Sequence, residues 1–224
     1  MQFLYHALSG EAELEIENES YRYLIKARRQ KVGDVTYLRN LYDTLLYTYK
    51  IEHIGRKSAQ LSLFEQKEYR VMLNRNLHVG WSIIDPKVIE KSLPQLNQIG
   101  IDKITFIPAD YSQKNFKLSY ERFEKILINS CEQCGRSELM QLQECKDLST
   151  FLTQNPQAAV LDFGGETVAS LSILPDTILI GSEGGFSKNE RKEFDNFTKI
   201  GLNSPLILRS ETALLSVASQ ILFS

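Results

Sequence analysis

The chain is poor in cysteine, and that scarcity limits its chemistry first. Cys131, Cys134 and Cys145, irregularly spaced among 224 residues, cannot build a complete disulfide framework, so a reducing compartment is expected. Long apolar runs are missing too. None approaches the ~18 residues of a membrane span, which argues against a membrane protein. Met1 to Gly10 has no basic flank and no long apolar centre, so it does not read as a signal peptide and the cytoplasm is the expected location. An excess of either charge is absent. A net charge of −2 argues against a protein that coats nucleic acid nonspecifically, while leaving room for a locally basic face. What is present is ordinary globular material, 42% hydrophobic and 24% charged, long enough for one large domain or two small ones.

Metal-binding patterns are scarce as well. Cys131 and Cys134 are spaced like half of a zinc finger, but no second Cys or His pair follows, and no metal is expected. The same pair does not follow the strand of a recognisable βαβ unit, which weakens a redox reading. His6, His53 and His78 are too scattered for a metal set or a triad.

Along the chain, acidic residues occupy the odd positions from Glu11 to Glu19 with Ala12, Leu14 and Ile16 between them, the period of a half-buried, edge-like strand. The segment 21–31 predicts a short helix with a basic face, built by Arg22, Lys26, Arg28, Arg29 and Lys31 and stopped at Gly33. From Asp34 to Phe64, Tyr, Thr, Leu and Ile predict short antiparallel strands, broken near Asn40 and at Gly55–Ser58. Residues 1–68 therefore read as a small β-barrel, and the charged segment 65–70 reads as a linker. Beyond it, over 71–224, strand-like and helix-like segments alternate, the mark of an α/β sheet. Pro86 and Gly100 bracket one helix. Ser210 is placed to cap the last, whose Leu214, Val217, Ala218 and Ile221 share a face for the sheet or a second subunit. Trp81 and the tyrosines could stack on bases, though aromatic residues on strands more often belong to a core.

Three glycine- or loop-rich clusters could bind a ligand. In residues 180–190 (IGSEGGFSKNE) an apolar strand runs into paired glycines and a helix opening at Ser187, which frees backbone amides for a ligand; an ordinary turn explains it equally well. In residues 202–216 (LNSPLILRSETALLS) a Pro-containing loop enters a helix, and taken alone this is a well-capped terminal helix. Residues 159–166 (AVLDFGGE) imitate a Rossmann opening but leave too little chain behind for a doubly wound sheet, so they read as a core strand and its exit loop. Glu132 and Arg136, four apart, can share one helix face.

Taken in order, these clusters resemble the RsmE family of 16S rRNA uridine N3-methyltransferases, of the SPOUT superfamily. Residues 23–34 resemble the family's first-domain helix and turn, and 93–112 the start of its second domain. Glu132, Gln133 and Arg136 match a Glu-Gln-x-x-Arg signature. Residues 180–190 and 206–213 match its two cofactor loops. Ser182 stands where the family has Pro, Ser204 where it has Gly, and Leu206 where it has Arg. Asn97–Gln98 replace a Thr-Glu pair, and Asp162–Phe163–Gly164 lacks a His-Pro pair. The resemblance implies a PUA-like β-barrel followed by a SPOUT domain with a deep C-terminal trefoil knot, acting as a homodimer. The cofactor implied is S-adenosylmethionine. The substrate implied is 16S rRNA or the assembled small ribosomal subunit. Cofactor binding is expected at Leu161, Phe163, Gly181, Glu183, Gly184, Gly185, Leu206, Leu208, Ser210, Thr212 and Ala213. Methylating uracil N3 requires loss of its proton and stabilisation of charge on the uracil oxygens; Arg136 is the candidate for the latter, with Arg209 in reserve and Glu132 orienting Arg136. Arg22, Lys26, Arg28 and Arg29 are expected to grip RNA phosphates, against the alternative of a merely solvated face. A different RNA substrate, or a noncatalytic assembly role, are the competing functions.

Overall fold

The computed structural model describes residues 1–112 and 116–224, which divide into two units: Met1–Met72 with Ile128–Leu139, and Leu73–Leu127 with Met140–Ser224. No helix among the described residues is long and apolar enough to cross a membrane.

The first unit is a five-stranded sheet. Its strands are Leu4–Tyr5 (β1), Glu13–Glu17 (β2), Val35–Arg39 (β3), Leu45–Ile54 (β4) and Ser58–Glu68 (β5), in the order β1-β3-β4-β5-β2. The alternation of β2 holds: Leu14 and Ile16 are buried, the glutamates between them are exposed, and the strand lies at an edge. Two register shifts between β4 and β5 add local twist and curl the sheet over Leu24, Leu38, Tyr49, Ile51 and Leu61. The segment 65–70 is not a free linker, because β5 continues to Glu68 opposite Leu45; a long partner strand satisfies backbone groups that a polar sequence would otherwise leave to water. The basic helix also differs from expectation. A single α-turn, Asn18–Tyr21 (α1), passes into a π-helical segment, Arg22–Ala27. It ends well before Gly33, because Arg29 takes a positive φ of 56° and lets the Gln30 amide return to the Leu24 carbonyl. A buried arginine not foreseen from sequence, Arg39, donates to the carbonyls of Thr44, Leu45 and Tyr69 and fastens the loop between β3 and β4.

The second unit is a six-stranded parallel sheet. His78–Ser82 (β6) is followed by the helix Pro86–Gln98 (α2), Lys103–Ile107 (β7), the helix Tyr120–Cys134 (α3), whose residues from Ile128 on count with the first unit, and Gln141–Glu144 (β8). The helix Leu148–Gln154 (α4), Ala159–Thr167 (β9), Thr177–Ile180 (β10), the helix Lys188–Glu193 (α5), Lys199–Gly201 (β11) and the helix Ser210–Leu222 (α6) complete it. The strand order is β11-β9-β10-β6-β7-β8. Strands in such a sheet are covered on both faces, and β6, β7 and β10 are accordingly almost wholly buried. A Cβ at Gly80 would fall 2.4 Å from the Phe151 ring, so the glycine in β6 is what admits α4. Asp85 caps α2 through the Lys87 amide, Pro86 fills its first position, and Gly100, at φ +94°, ends it.

Candidate active site

Three strand ends and one helix start converge on a cleft of about 410 Å³, within the ~300–1,000 Å³ range of small-molecule sites. It lies where ligands sit in open parallel sheets, beyond the carboxyl ends of the strands. The body of β9 contributes Leu161 and Phe163 and its end Thr167, the turn after β10 contributes Gly181 to Phe186, and the segment after β11 contributes Leu202, Leu206 and Leu208. Ser210 and Ala213 come from the first turns of α6.

The glycine turn is closed by the Gly185 amide, which donates to the Ser182 carbonyl at 2.9 Å, with Gly185 at φ +69°. Gly181 and Gly184 are needed for closeness: added Cβ atoms would stand 3.2 Å from the Phe186 ring and 3.1 Å from Tyr111. As expected, Ser187 opens α5, in a capping box with Glu190. That box is tied to the loop after β7, since the Asp110 amide donates to Glu190 at 2.9 Å and the Ser187 hydroxyl to Asp110 at 2.5 Å.

Ser210 does not cap α6. Arg209 occupies the cap position, and the Ser210 hydroxyl instead accepts from Trp81 Nε1 at 2.9 Å and donates to the Gly181 carbonyl at 2.6 Å. The buried Trp81 thus locks the glycine turn to the helix start, a link that residues 129 apart give no sequence sign of. A second fastening likewise has no local sequence sign: Arg191 forms an ion pair with Asp162 of β9, and its Nε donates to the Phe186 carbonyl at 3.3 Å. The expectation of an exit loop at Gly164–Gly165 fails, because β9 runs on to Thr167. A Cβ at Gly165 would lie 2.4 Å from the Ile200 backbone, so the glycine allows β11 to pack there.

Of the expected cofactor residues, all but Thr212 line the cleft; Thr212 is exposed in the first turn of α6. Phe163, Leu206 and Ile207 are exposed apolar side chains around the opening. Glu183 is the lining carboxylate that forms no ion pair among the described residues, Asp162 being held by Arg191. Arg209 is exposed between two lining residues, Leu208 and Ser210.

Glu132 and Arg136 belong to the first unit. They do not share a helix face, because α3 ends at Cys134 and Gly135, at φ +85°, turns the chain. The Glu132 carboxylate accepts from the Tyr5 amide at 2.6 Å. Burial raises its pKa above the ordinary value, opposed by that amide and by Arg28. Arg136 is buried and its Nε donates to the Glu138 carbonyl at 2.9 Å. Cys131 packs in an apolar cluster with Phe3, Leu41 and Leu46, whereas Cys134 is exposed. Arg22, Lys26, Arg28 and Arg29 are all exposed, with Arg28 over the Tyr23 ring and bonded to Gln2.

A family model described as an RNA methyltransferase domain matches residues 72–222, and one described as an RNA methyltransferase PUA domain matches residues 16–64. The chain is 44% identical over 222 residues to the ribosomal RNA small subunit methyltransferase E of Helicobacter pylori, covering 98% of each. It is 26% identical to that of Buchnera aphidicola, over 88% of this chain and 83% of the relative. Among solved structures, a ribosomal RNA small subunit methyltransferase E from Neisseria gonorrhoeae bound to S-adenosyl methionine superposes with a TM-score of 0.79 at 16% identity, covering 98% of this chain and 95% of that one.

Proposed function

Because the chain belongs to the ribosomal RNA small subunit methyltransferase E family, we propose that it methylates N3 of a uridine in 16S ribosomal RNA, with S-adenosylmethionine as donor. The observation that carries this reading is the cleft, into which two separate sequence motifs, 180–190 and 206–213, bring their side chains and glycines together. The residues fit such a donor: Gly181, Gly184 and Gly185 line the cleft without side chains, Phe163 and Leu206 offer apolar surface for a flat base, and Glu183 offers a negative charge for a cationic group. When bound, the donor supplies an electrophilic methyl group on a sulfonium.

The chain's own task is then alignment, exclusion of water and stabilisation of charge on the uracil. Arg209 is assigned to the uracil oxygens, since it is the cation beside the lining residues Leu208 and Ser210. Arg136 keeps the part in charge stabilisation that its signature implies, with Glu132 orienting it, and R136K and E132Q under saturating donor check this: kcat should fall while donor affinity stays.

In this reading residues 1–68 form a PUA-like barrel gripping RNA through Arg22, Lys26, Arg28 and Arg29. Residues 71–224 form a SPOUT domain with a deep trefoil knot, and the protein works as a cytoplasmic homodimer on free 16S rRNA or the assembled small subunit. Calorimetry with S-adenosylmethionine and mapping of 3-methyluridine in a deletion strain test the function. Donor binding with restoration of one methylated 16S position on complementation is expected. Loss of a methyl group from a different RNA would overturn the substrate, and absence of donor binding would leave a noncatalytic factor.

A further inference from the structure

Outside the cleft, one groove of the first unit is lined by cations from two unrelated segments. Arg22 and Lys26 come from the π-helical segment, Arg56 and Lys57 from the tip of the turn between β4 and β5, and none of the lining residues is acidic. Neither the sequence pattern nor the proposal above assigns the turn any role. The two walls are held together by Tyr21, which is 5% exposed and lies between them; its hydroxyl donates to the Gly55 carbonyl at 2.9 Å. The Gly55 amide in turn donates to the Ser58 carbonyl at 2.8 Å and closes the turn that carries Arg56 and Lys57. All four cations are exposed, and none forms an ion pair among the described residues.

A concentration of four positive charges without carboxylate partners costs electrostatic repulsion in the free protein, and a polyanion relieves it. We propose that this groove, with Arg56 and Lys57 as half of it, binds the phosphodiester backbone of the RNA substrate; the proposal rests on the reading of that substrate as RNA. Lys26 in the groove lies over the Tyr21 ring much as Arg28 lies over the Tyr23 ring, so the groove adds Arg56 and Lys57 to the cations already assigned to the RNA rather than replacing any of them. Such contacts position RNA without reading its sequence. Phosphate neutralisation also leaves a signature: each contact adds about 0.7–0.9 to the slope of log affinity against log salt.

The test is filter binding of a 16S rRNA transcript between about 50 and 200 mM salt, for the wild-type chain, R56E/K57E and R56Q/K57Q, with calorimetry of S-adenosylmethionine on each. The expected result is a loss of RNA affinity of about tenfold or more for the charge reversal, a salt slope shallower by about 1–2 for both variants, and unchanged donor affinity. The turn tip is exposed, and should the reversal unfold the sheet, the glutamine pair reads the same slope. Affinity within twofold of wild type and an unaltered slope would overturn the groove, as would binding of wild type to phosphatidylserine vesicles but not to RNA. Failure of the functional reading is distinct, because there the wild-type chain fails to bind the donor.

Discussion

Removing the hydroxyl of Ser210 should loosen the cleft by a route that can be isolated. S210A leaves Trp81 Nε1, fully buried, without the acceptor it has at 2.9 Å, and takes from the Gly181 carbonyl the donor it has at 2.6 Å. An orphaned buried donor costs about 1–3 kcal/mol, whereas the carbonyl borders the cleft and can turn to water, so a total near 2–3 kcal/mol is expected. At about 2–4 °C per kcal/mol for a domain of this size, the melting temperature should fall by roughly 4–12 °C. Donor affinity should fall with it, since the glycine turn is no longer fastened to α6. The decisive measurement is the cycle with W81F. Phenylalanine has no N–H to orphan, so S210A should cost about 1 kcal/mol or more less in the W81F background than in wild type, and S210T, which retains a hydroxyl, should restore much of the melting temperature. Equal costs of S210A in the two backgrounds would refute the argument, for the hydroxyl would then act without the indole.

Gly165→Ala should destabilise the second unit by about 1–3 kcal/mol or prevent its folding, because the new methyl group meets the Ile200 backbone at 2.4 Å; circular dichroism melts would detect it, and a wild-type melt would contradict the packing. R191A and D162N should each weaken donor binding by several-fold, and the double variant should be little worse than R191A alone if the pair acts as one clamp on the glycine turn; additive losses in calorimetry would count against that. His78 is held down to about 4 by burial first and Lys103 second, so its folded pKa lies below the unfolded 6.5. The unfolded chain therefore binds the extra proton between those values, the contribution is fully present above pH 6.5, and stability falls as pH drops toward 4. H78Q should flatten that part of the denaturation-against-pH curve, and an unchanged curve would assign the dependence to other groups.

Much of the architecture was legible because it rests on local rules. The alternation around Leu14 and Ile16, the start of α2 at Pro86, its stop at Gly100 and the helix opening at Ser187 are each signalled by residues within a turn or two of the feature itself. Short elements escaped where the local signal was thin: β8 and β11 are four and three residues long and earn their hydrogen bonds from neighbours supplied elsewhere in the chain. The helix α4 is capped by Asp147 and buries Leu148, Phe151 and Leu152, but its seven residues offer barely two turns of period, too few to stand out in the sequence. The cleft was legible as two motifs but not as a fastened whole. Trp81 to Ser210 and Asp162 to Arg191 are partnerships over long sequence separations, and nothing in the local pattern of either residue encodes the other.

The departures at Ser182 and Ser204 bear on the same point. A proline or a glycine shapes a loop through the backbone itself, by restricting φ or by freeing it. A serine has neither property, but it brings a hydroxyl that can bond within its own turn. Here the Ser182 hydroxyl donates to the Gly185 carbonyl at 3.3 Å, across the glycine turn, and the Ser204 hydroxyl accepts from the Leu206 amide at 3.1 Å, within the segment that carries the apolar lip of the cleft. Both turns thus gain a side-chain bond at the position where a backbone restriction or freedom is replaced. Such bonds are weaker where water competes, and Ser204 is exposed while Ser182 is buried, so the glycine turn is the more firmly held of the two. With Ser210 and Trp81 holding the same turn as well, its shape depends on a set of hydroxyls and one indole, whereas the exposed Leu206 lip is held through the exposed Ser204 hydroxyl.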